Sequence, residues 1–420
     1  MIVKNSNKPY TIGVMAKRYN INMIDSLPLF PGLKIGSILK KPDLGKLRLL
    51  PNAHDWVPTY SGTTALSLAA KSLKKLDRTH ILVPSFNCGH EIEPFLRENF
   101  KIDMYRVNRY GIIDLEHLDS QLTGNRQVVL VTHFFGFPQP VEEISALCKT
   151  RNIFMLEDCA HSFQSHIDGT PLGSWGDLSI YSYRKTLPSP DGGALIINNP
   201  AIELSRPASL PNTMSVLKKT AELVMNQLMA SASISSPIGF KLLSGIKRIL
   251  LMVQSAIKMG ARHDSLLLYS PDDESYEYSS EILNWQISKL STSVIGNCDH
   301  QEARVSRIRN YQYVAKALDK LKKLRPLFPA LPDGTCPLGF PFVGPDDRNQ
   351  IDDIMRNYPY LLSWWPQFHP GMEWHDFAES AWLKRNCYVM SIHQDLKKSH
   401  LDFLIDCALA GDQDLQRKSV

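Results

Sequence analysis

From Tyr60 onward the apolar positions fall into a repeating order. YSGTTALSLAAKSLKKL opens with small residues and continues with apolar positions at helical spacing, which predicts a turn running into an amphipathic helix. HILVP reads as a short buried strand, GHEIEPFLRENF as a helix, and DMYRV and QVVLVTH as two more strands. QPVEEISALCKTRN then predicts a helix with Pro140 near its first turn, and NIFML a strand. LSIYSY and GALIIN read as two further strands. The strands are nearly continuous apolar runs, and helices alternate with them. That pattern predicts an α/β fold with a mostly parallel sheet covered on both faces. Ligands of such sheets bind beyond the carboxyl ends of the strands, and Gly62, His133 and Asp158 all follow apolar runs.

On either side the pattern changes. Residues 1–50 have weak periodicity with several prolines and glycines, and read as an N-terminal arm. A long helical stretch runs from EILNWQISKL to YVAKALDKLKKL. Proline-rich loops, the strand-like LGFPFVG and CYVMSI, and a last helix at SHLDFLIDCAL follow. The expected organisation is an arm (1–50), a large domain (51–270) and a smaller C-terminal α+β domain (271–420).

Charge singles out one block. Residues 204–263 hold one acid, Glu222, against Arg206, Lys218, Lys219, Lys241, Lys247, Arg248, Lys258 and Arg262. Its stretches have amphipathic helical spacing, so 204–263 is expected as a basic helical insertion. Peripheral membrane contact by 214–262 is outweighed by packing on the protein's own body or on a partner copy. The overall charge of +5 is mild and does not indicate nucleic acid. The seven cysteines form no CxxC pair, which fits reduced thiols. The start lacks a secretory signal and no run reaches the ~18 apolar residues of a membrane span, so a soluble cytoplasmic protein is expected.

Candidate chemistry concentrates between Asn152 and Asn198. Asp158 ends a buried strand, where a carboxylate is costly unless a cation pairs with it. Lys185 lies in YSYRKTLPSPDGG; a lysine in a partly dry site loses its proton readily and can bond to an aldehyde carbon. Gly192 and Gly193 allow a turn and close approach. Gly62, Thr63 and Thr64 start a helix, where amides and hydroxyls can grip a phosphate, and Ser182 is a candidate for the same group. Each feature alone has an ordinary alternative: a capping acid, a solvated basic loop, a helix cap, a buried strand serine. A metal site is not expected. HExxH is missing, and His161 with His166 has no convincing third ligand.

Taken in order, SGTTAL, LVPSFNCG, VTHFFGFPQP, LEDCAHS and YSYRKTLPSPDGGAL resemble the motifs of the pyridoxal-phosphate-dependent sugar aminotransferases of the DegT/DnrJ/StrS type. The resemblance covers residues 55 to 200 well and 280 to 410 weakly. It implies a fold type I, aspartate aminotransferase-like architecture with a seven-stranded-type sheet sandwiched by helices. It also implies pyridoxal 5'-phosphate as cofactor and a homodimer with the pocket between subunits. Transamination would run from an amino donor, glutamate, to a keto-sugar, nucleotide-linked, in surface polysaccharide or amino-sugar synthesis. Carried over, Asp158 pairs with the pyridine nitrogen, His161 lies against the phenolic side, and Lys185 is the Schiff-base lysine and proton carrier. Gly62, Thr63, Thr64 and Ser182 hold the phosphate, with Asn87 and Cys88 also against the cofactor. Cys88 stands where relatives place a stacking aromatic, which leaves Phe86, Asn87 and Cys88 as candidates. YEYSS, with Tyr276 and Tyr278, replaces the family's usual element before the small domain. Two other readings are a sugar dehydratase-like enzyme and a non-catalytic cofactor-binding scaffold. Relatives that dehydrate sugars carry histidine at the lysine position, so Lys185 argues against the former.

Overall fold

The six predicted strands, with one the pattern did not announce (Asp55–Thr59), assemble into one seven-stranded sheet. They are β1 (Asp55–Thr59), β2 (His80–Pro84), β3 (Lys101–Tyr105), β4 (Gln127–Thr132), β5 (Phe154–Asp158), β6 (Leu178–Ser182) and β7 (Gly193–Ile197). This computed structural model describes residues 27–124, 126–204, 206–232, 281–346, 358 and 360–418. The strand order is β1-β7-β6-β5-β4-β2-β3. β3, β2, β4, β5 and β6 run parallel to their neighbours, while β7 is antiparallel to both β6 and β1.

Why the strand sequences do not alternate is visible in the packing. Ile81, Val83, Val128, Leu130 and Leu156 bury into one core. Leu82, Val129, Val131 and Met155, the intervening residues, bury into another. Both faces are covered, so every position favours an apolar side chain, each adding about 1.5–3 kcal/mol when fully buried. One face carries α1 (Gly62–Lys75) and α2 (Glu93–Arg97); α3 (Leu115–Gln121) and α4 (Val141–Thr150) complete the crossovers.

DWVPT, which has little hydrophobic pattern, is strand β1 all the same. It is an edge strand, and that is where a proline such as Pro58 is tolerated in a sheet. Of the expected arm, residues 27–50 are described, and part of them packs on the body. Leu33 is buried against Leu223 and Val294, and its amide donates to the Leu223 carbonyl.

Leu223 belongs to α5 (Thr213–Ala232), the first part of the basic block. Residues 205 and 233–263 of that block lie outside the described residues, as does the expected domain boundary near 271. The single long helix expected next is divided into α6 (Lys289–Asn297) and α7 (His300–Ala317). Ser288 and Asp299 cap the two helices, each accepting the amide three residues on, so Asp299 restarts the chain as a new helix.

Towards the C-terminus, β8 (Arg325–Pro326), β9 (Phe340–Val343), β10 (Leu362–Ser363) and β11 (Cys387–Met390) form a four-stranded antiparallel sheet in the order β8-β9-β11-β10. α8 (Ala378–Asn386) and α9 (Lys398–Lys418) accompany it. Its residues Phe340, Tyr388 and Met390 share a continuous core with Leu82 and Val129 of the large sheet. Among the described residues no helix is long and apolar enough to cross a membrane.

Candidate active site

β5 and β6 end side by side, with Asp158 paired to Ile180, and the chain beyond their carboxyl ends supplies the central groups. Asp158 is 8% exposed, and one carboxylate oxygen accepts the Ala160 amide at 2.9 Å. Burial pushes this carboxyl up to about 6. The Lys185 charge pulls the other way, and Glu91 adds to the rise. Asp158 is therefore a buried acid short of positive charge.

Lys185 closes a short 3₁₀ turn, Tyr183–Lys185, directly after β6. Its Nζ lies 3.0 Å from His161 Nε2. His161 is held far below its ordinary value, by burial first and the Lys185 charge second. The imidazole is enclosed by Trp365 and Trp364, with ring centroids 5.2 and 5.4 Å away. The loop after Lys185 is fixed from the C-terminal layer. The carbonyl of Thr186 accepts from Arg307 Nη2 at 3.2 Å and from Gln394 Nε2 at 2.9 Å. Nothing local in the sequence announces Arg307, Gln394 or the Trp pair, because they reach the site through long-range packing.

The helix start at Gly62 lies beside Ser182. A Cβ placed on Gly62 would meet the Ser182 Cβ at 3.6 Å. Ser61 caps α1, accepting the Thr64 amide at 3.1 Å. The amides of Gly62 and Thr63 are left without an acceptor among the described residues, as the first turn of a helix leaves them. Thr64 departs from expectation: its hydroxyl is buried and engaged with Ser61 Oγ and the Ile282 carbonyl, so it completes the cap and does not face a phosphate. The glycine pair has a different role from the one its flexibility suggested. A Cβ on Gly193 would fall 2.4 Å from the Ser61 carbonyl carbon, and the Gly192 amide donates to the Tyr60 carbonyl at 2.6 Å. Close approach is needed by the chain's own turn, which seats α1 against the lysine loop.

The candidates after β2 separate clearly. Phe86 is wholly buried against Phe134 and Trp365. Asn87, expected against a cofactor, uses its side-chain amide on its own loop, while its Oδ1 has no hydrogen-bond partner among the described residues. It is 0% exposed and its side-chain amide donates back to the Pro84 carbonyl at 2.8 Å, bracing the loop from behind. Only Cys88 is partly exposed. Its amide and thiol both donate to Glu91, at 3.0 and 2.6 Å. Tyr276 and Tyr278 lie outside the described residues.

His133, expected in the same crevice, is turned away from it. Its Nδ1 accepts the Gln139 amide at 3.1 Å and its Nε2 faces Glu157 at 3.1 Å. Glu157 further accepts the amides of Gly173, Trp175 and Gly176. His133, Glu157 and Cys159 have the proximity of a metal site, but the histidine and the carboxylate are already saturated by hydrogen bonds. Burial, with Glu157 beside it, pushes the Cys159 thiol well up, opposite to what a thiolate ligand needs.

Comparison with known proteins bears out the resemblance. Residues 49–235 match the DegT/DnrJ/EryC1/StrS aminotransferase family. GDP-perosamine synthase of Escherichia coli O157:H7 is 28% identical over 142 residues, 33% of this chain and 39% of the relative. UDP-4-amino-4,6-dideoxy-N-acetyl-beta-L-altrosamine transaminase of Campylobacter jejuni is 29% identical over 164 residues, 38% of this chain and 43% of the relative. The chain thus spans about two fifths of the length of these curated relatives. The fold extends further. The aminotransferase TlmJ from Streptoalloteichus hindustanus superposes with a TM-score of 0.61 at 16% identity over 98% of both chains. Helicobacter pylori PseC, an aminotransferase involved in pseudaminic acid biosynthesis by its description, gives 0.60 at 13% identity over 97% of both. The chain has the fold of these aminotransferases throughout, with sequence likeness concentrated where the candidate site lies.

Proposed function

We propose that this protein is a pyridoxal-phosphate-dependent aminotransferase that delivers nitrogen to a keto-sugar, nucleotide-linked as in the named relatives. The observation that carries the reading is the meeting of Lys185, His161 and Asp158 at the strand ends, inside the segment that matches the family. The residues fit the cofactor. Asp158 is a buried carboxylate that gains from a protonated pyridine nitrogen beside it. The amides of Gly62 and Thr63, which have no acceptor among the described residues, with Ser182 next to them, suit a phosphate at the positive end of α1. The group supplies an electron sink when bound.

The chain supplies the rest. Asp158 would hold a positive charge on the ring nitrogen, keeping the ring electron-withdrawing. Lys185 would hold the cofactor's aldehyde end, and its amine would be the group that moves a proton at the substrate carbon. His161, neutral and fixed by the Trp pair, orients polar groups beside the lysine. Glutamate as amino donor and a pair of copies as the working unit follow from the resemblance, as does a cytoplasmic setting. The test is spectroscopic. Purified protein should be yellow, and Lys185→Ala should abolish or shift the visible band; adding glutamate should convert the band to that of the aminated cofactor. Protein that stays colourless with added pyridoxal phosphate, or a band that no amino donor moves, defeats the reading.

A further inference from the structure

The position where relatives stack an aromatic ring is held by Cys88, and its surroundings are built around it. Glu91, 3% exposed, uses both carboxylate oxygens on this one residue, taking the amide at 3.0 Å and the thiol at 2.6 Å. Backbone and side chain of Cys88 are fixed together, with the S–H turned to Glu91, and the residue as a whole is partly exposed. On the other side, Lys384 of α8 is 0% exposed, and its ammonium donates to the Asn87 carbonyl at 2.6 Å. The same ammonium lies 4.9 Å from the Trp374 ring centre. The loop is tied to α8 a second time by Ser85 and Ser380, whose hydroxyls are 2.6 Å apart.

Fully burying a lysine and a glutamate is expensive unless each has a partner. Here the charge of Lys384 acts on Glu91 and Cys88, while the thiol lies within the field of Lys185. Plain packing would be met by apolar residues at lower cost.

We propose that Glu91 and Lys384 are positioning residues that present the Cys88 sulfur as the face on which the cofactor ring rests. Sulfur is polarisable and packs favourably against aromatic rings, so a held thiol can take the place of a stacking ring. The clamp also joins the ring face to α8, in the C-terminal layer. This inference rests on the functional reading above.

The test is alkylation of Cys88 by iodoacetamide in the full-length protein, followed by peptide mass spectrometry, with and without pyridoxal phosphate. Bound cofactor should slow Cys88 labelling by roughly tenfold or more, since thiol reactivity follows exposure and thiolate fraction. Glu91→Gln removes the anion that disfavours the thiolate, so Cys88 should label several-fold faster and cofactor protection should weaken. Lys384→Met should diminish the circular dichroism of the visible cofactor band, and Lys384→Arg should restore it. If the yellow Lys185 adduct forms but Cys88 labels equally fast with and without it, the ring does not rest there and the proposal is overturned while the aminotransferase reading stands. If no adduct forms, both fall. Should Lys384→Met fail to fold, the wild-type protection experiment decides alone.

Discussion

Lys185 Nζ stands 3.0 Å from Nε2 of His161, whose other ring nitrogen accepts the Phe135 amide at 3.4 Å. An acceptor at Nδ1 places the proton of a neutral imidazole on Nε2. The Phe135 amide thus favours the Nε2–H tautomer, which can donate to the Lys185 amine only when that amine is unprotonated; a charged Lys185 donates to Nε2 of the other tautomer. Burial and the Lys185 charge both oppose a second proton. The expected result is that the His161 imidazole stays neutral at and below the ordinary value of 6.5, seen as no titration of its ring nitrogens by NMR over that range. An imidazolium signal from His161 at pH 7 would contradict this arrangement.

Asp158 makes an opposite demand on the protein before the cofactor binds. Its carboxyl is raised from 3.8 to about 6, chiefly by burial, so the folded state binds this proton more tightly than the unfolded one. The linkage sign follows: stability is lost as pH rises from 3.8 through about 6 and stays lost above. Asp158→Asn, which cannot ionise, should stabilise the cofactor-free protein by about 1–3 kcal/mol at pH 8, with the gain fading toward pH 4. The same variant should bind pyridoxal phosphate more weakly and lose most activity. Urea unfolding at several pH values checks the first part. A cofactor-free variant less stable than wild type at pH 8 would show that the ionised carboxylate is already compensated.

Most of the sheet was legible because its strands are buried on both faces and so are apolar at every position. Strand β1 was not, because DWVPT carries little apolar pattern and a proline, which its edge position tolerates. The split between α6 and α7 rests on the Asp299 cap, a single-residue signal inside a long helical pattern. Asp158, His161 and Lys185, expected together because they lie within one short stretch, do come together at the strand ends. Thr64 and Asn87 show the limit of motif position: it says which residue is near a ligand, while the hydrogen bonds say which way its side chain is engaged. Glu91, Arg307 and Lys384 act across 3 to 297 residues of chain, so nothing in their own neighbourhoods marks the longer-range pair.

Gly193 tests the cradle. A methyl group there would fall 2.4 Å from the Ser61 carbonyl carbon and 2.7 Å from the Gly62 amide nitrogen, both backbone atoms that cannot swing aside. Gly193→Ala should push the start of α1 away from Ser182. Pyridoxal phosphate affinity is expected to fall by about tenfold or more, with a loss of about 1–3 kcal/mol in stability from overpacking. Gly169→Ala is the control, since nothing lies within 4 Å of its added Cβ, though its φ of +84° carries a backbone cost of its own. Unchanged cofactor affinity in Gly193→Ala would mean that the α1 start is not the phosphate site.

Glu157 distinguishes a hydrogen-bond hub from a metal centre. Its carboxylate accepts the amides of Gly173 at 2.8 Å, Trp175 at 2.8 Å and Gly176 at 2.6 Å, and faces His133 Nε2 at 3.1 Å, all without exposure to solvent. Glu157→Gln would turn one acceptor oxygen into an NH₂ group facing donors, leaving buried amides unsatisfied. Each such group costs about 1–3 kcal/mol, so a loss of roughly 3–5 kcal/mol is expected in urea unfolding. Because Glu157 precedes Asp158 on β5, cofactor binding should weaken in the same variant. The hub needs no ion: protein purified without chelator should contain no stoichiometric metal by elemental analysis, and adding EDTA should leave the unfolding curve in place. One equivalent of zinc bound in wild type and lost in Glu157→Gln would reverse this assignment, since His133, Glu157 and Cys159 are close enough to share an ion.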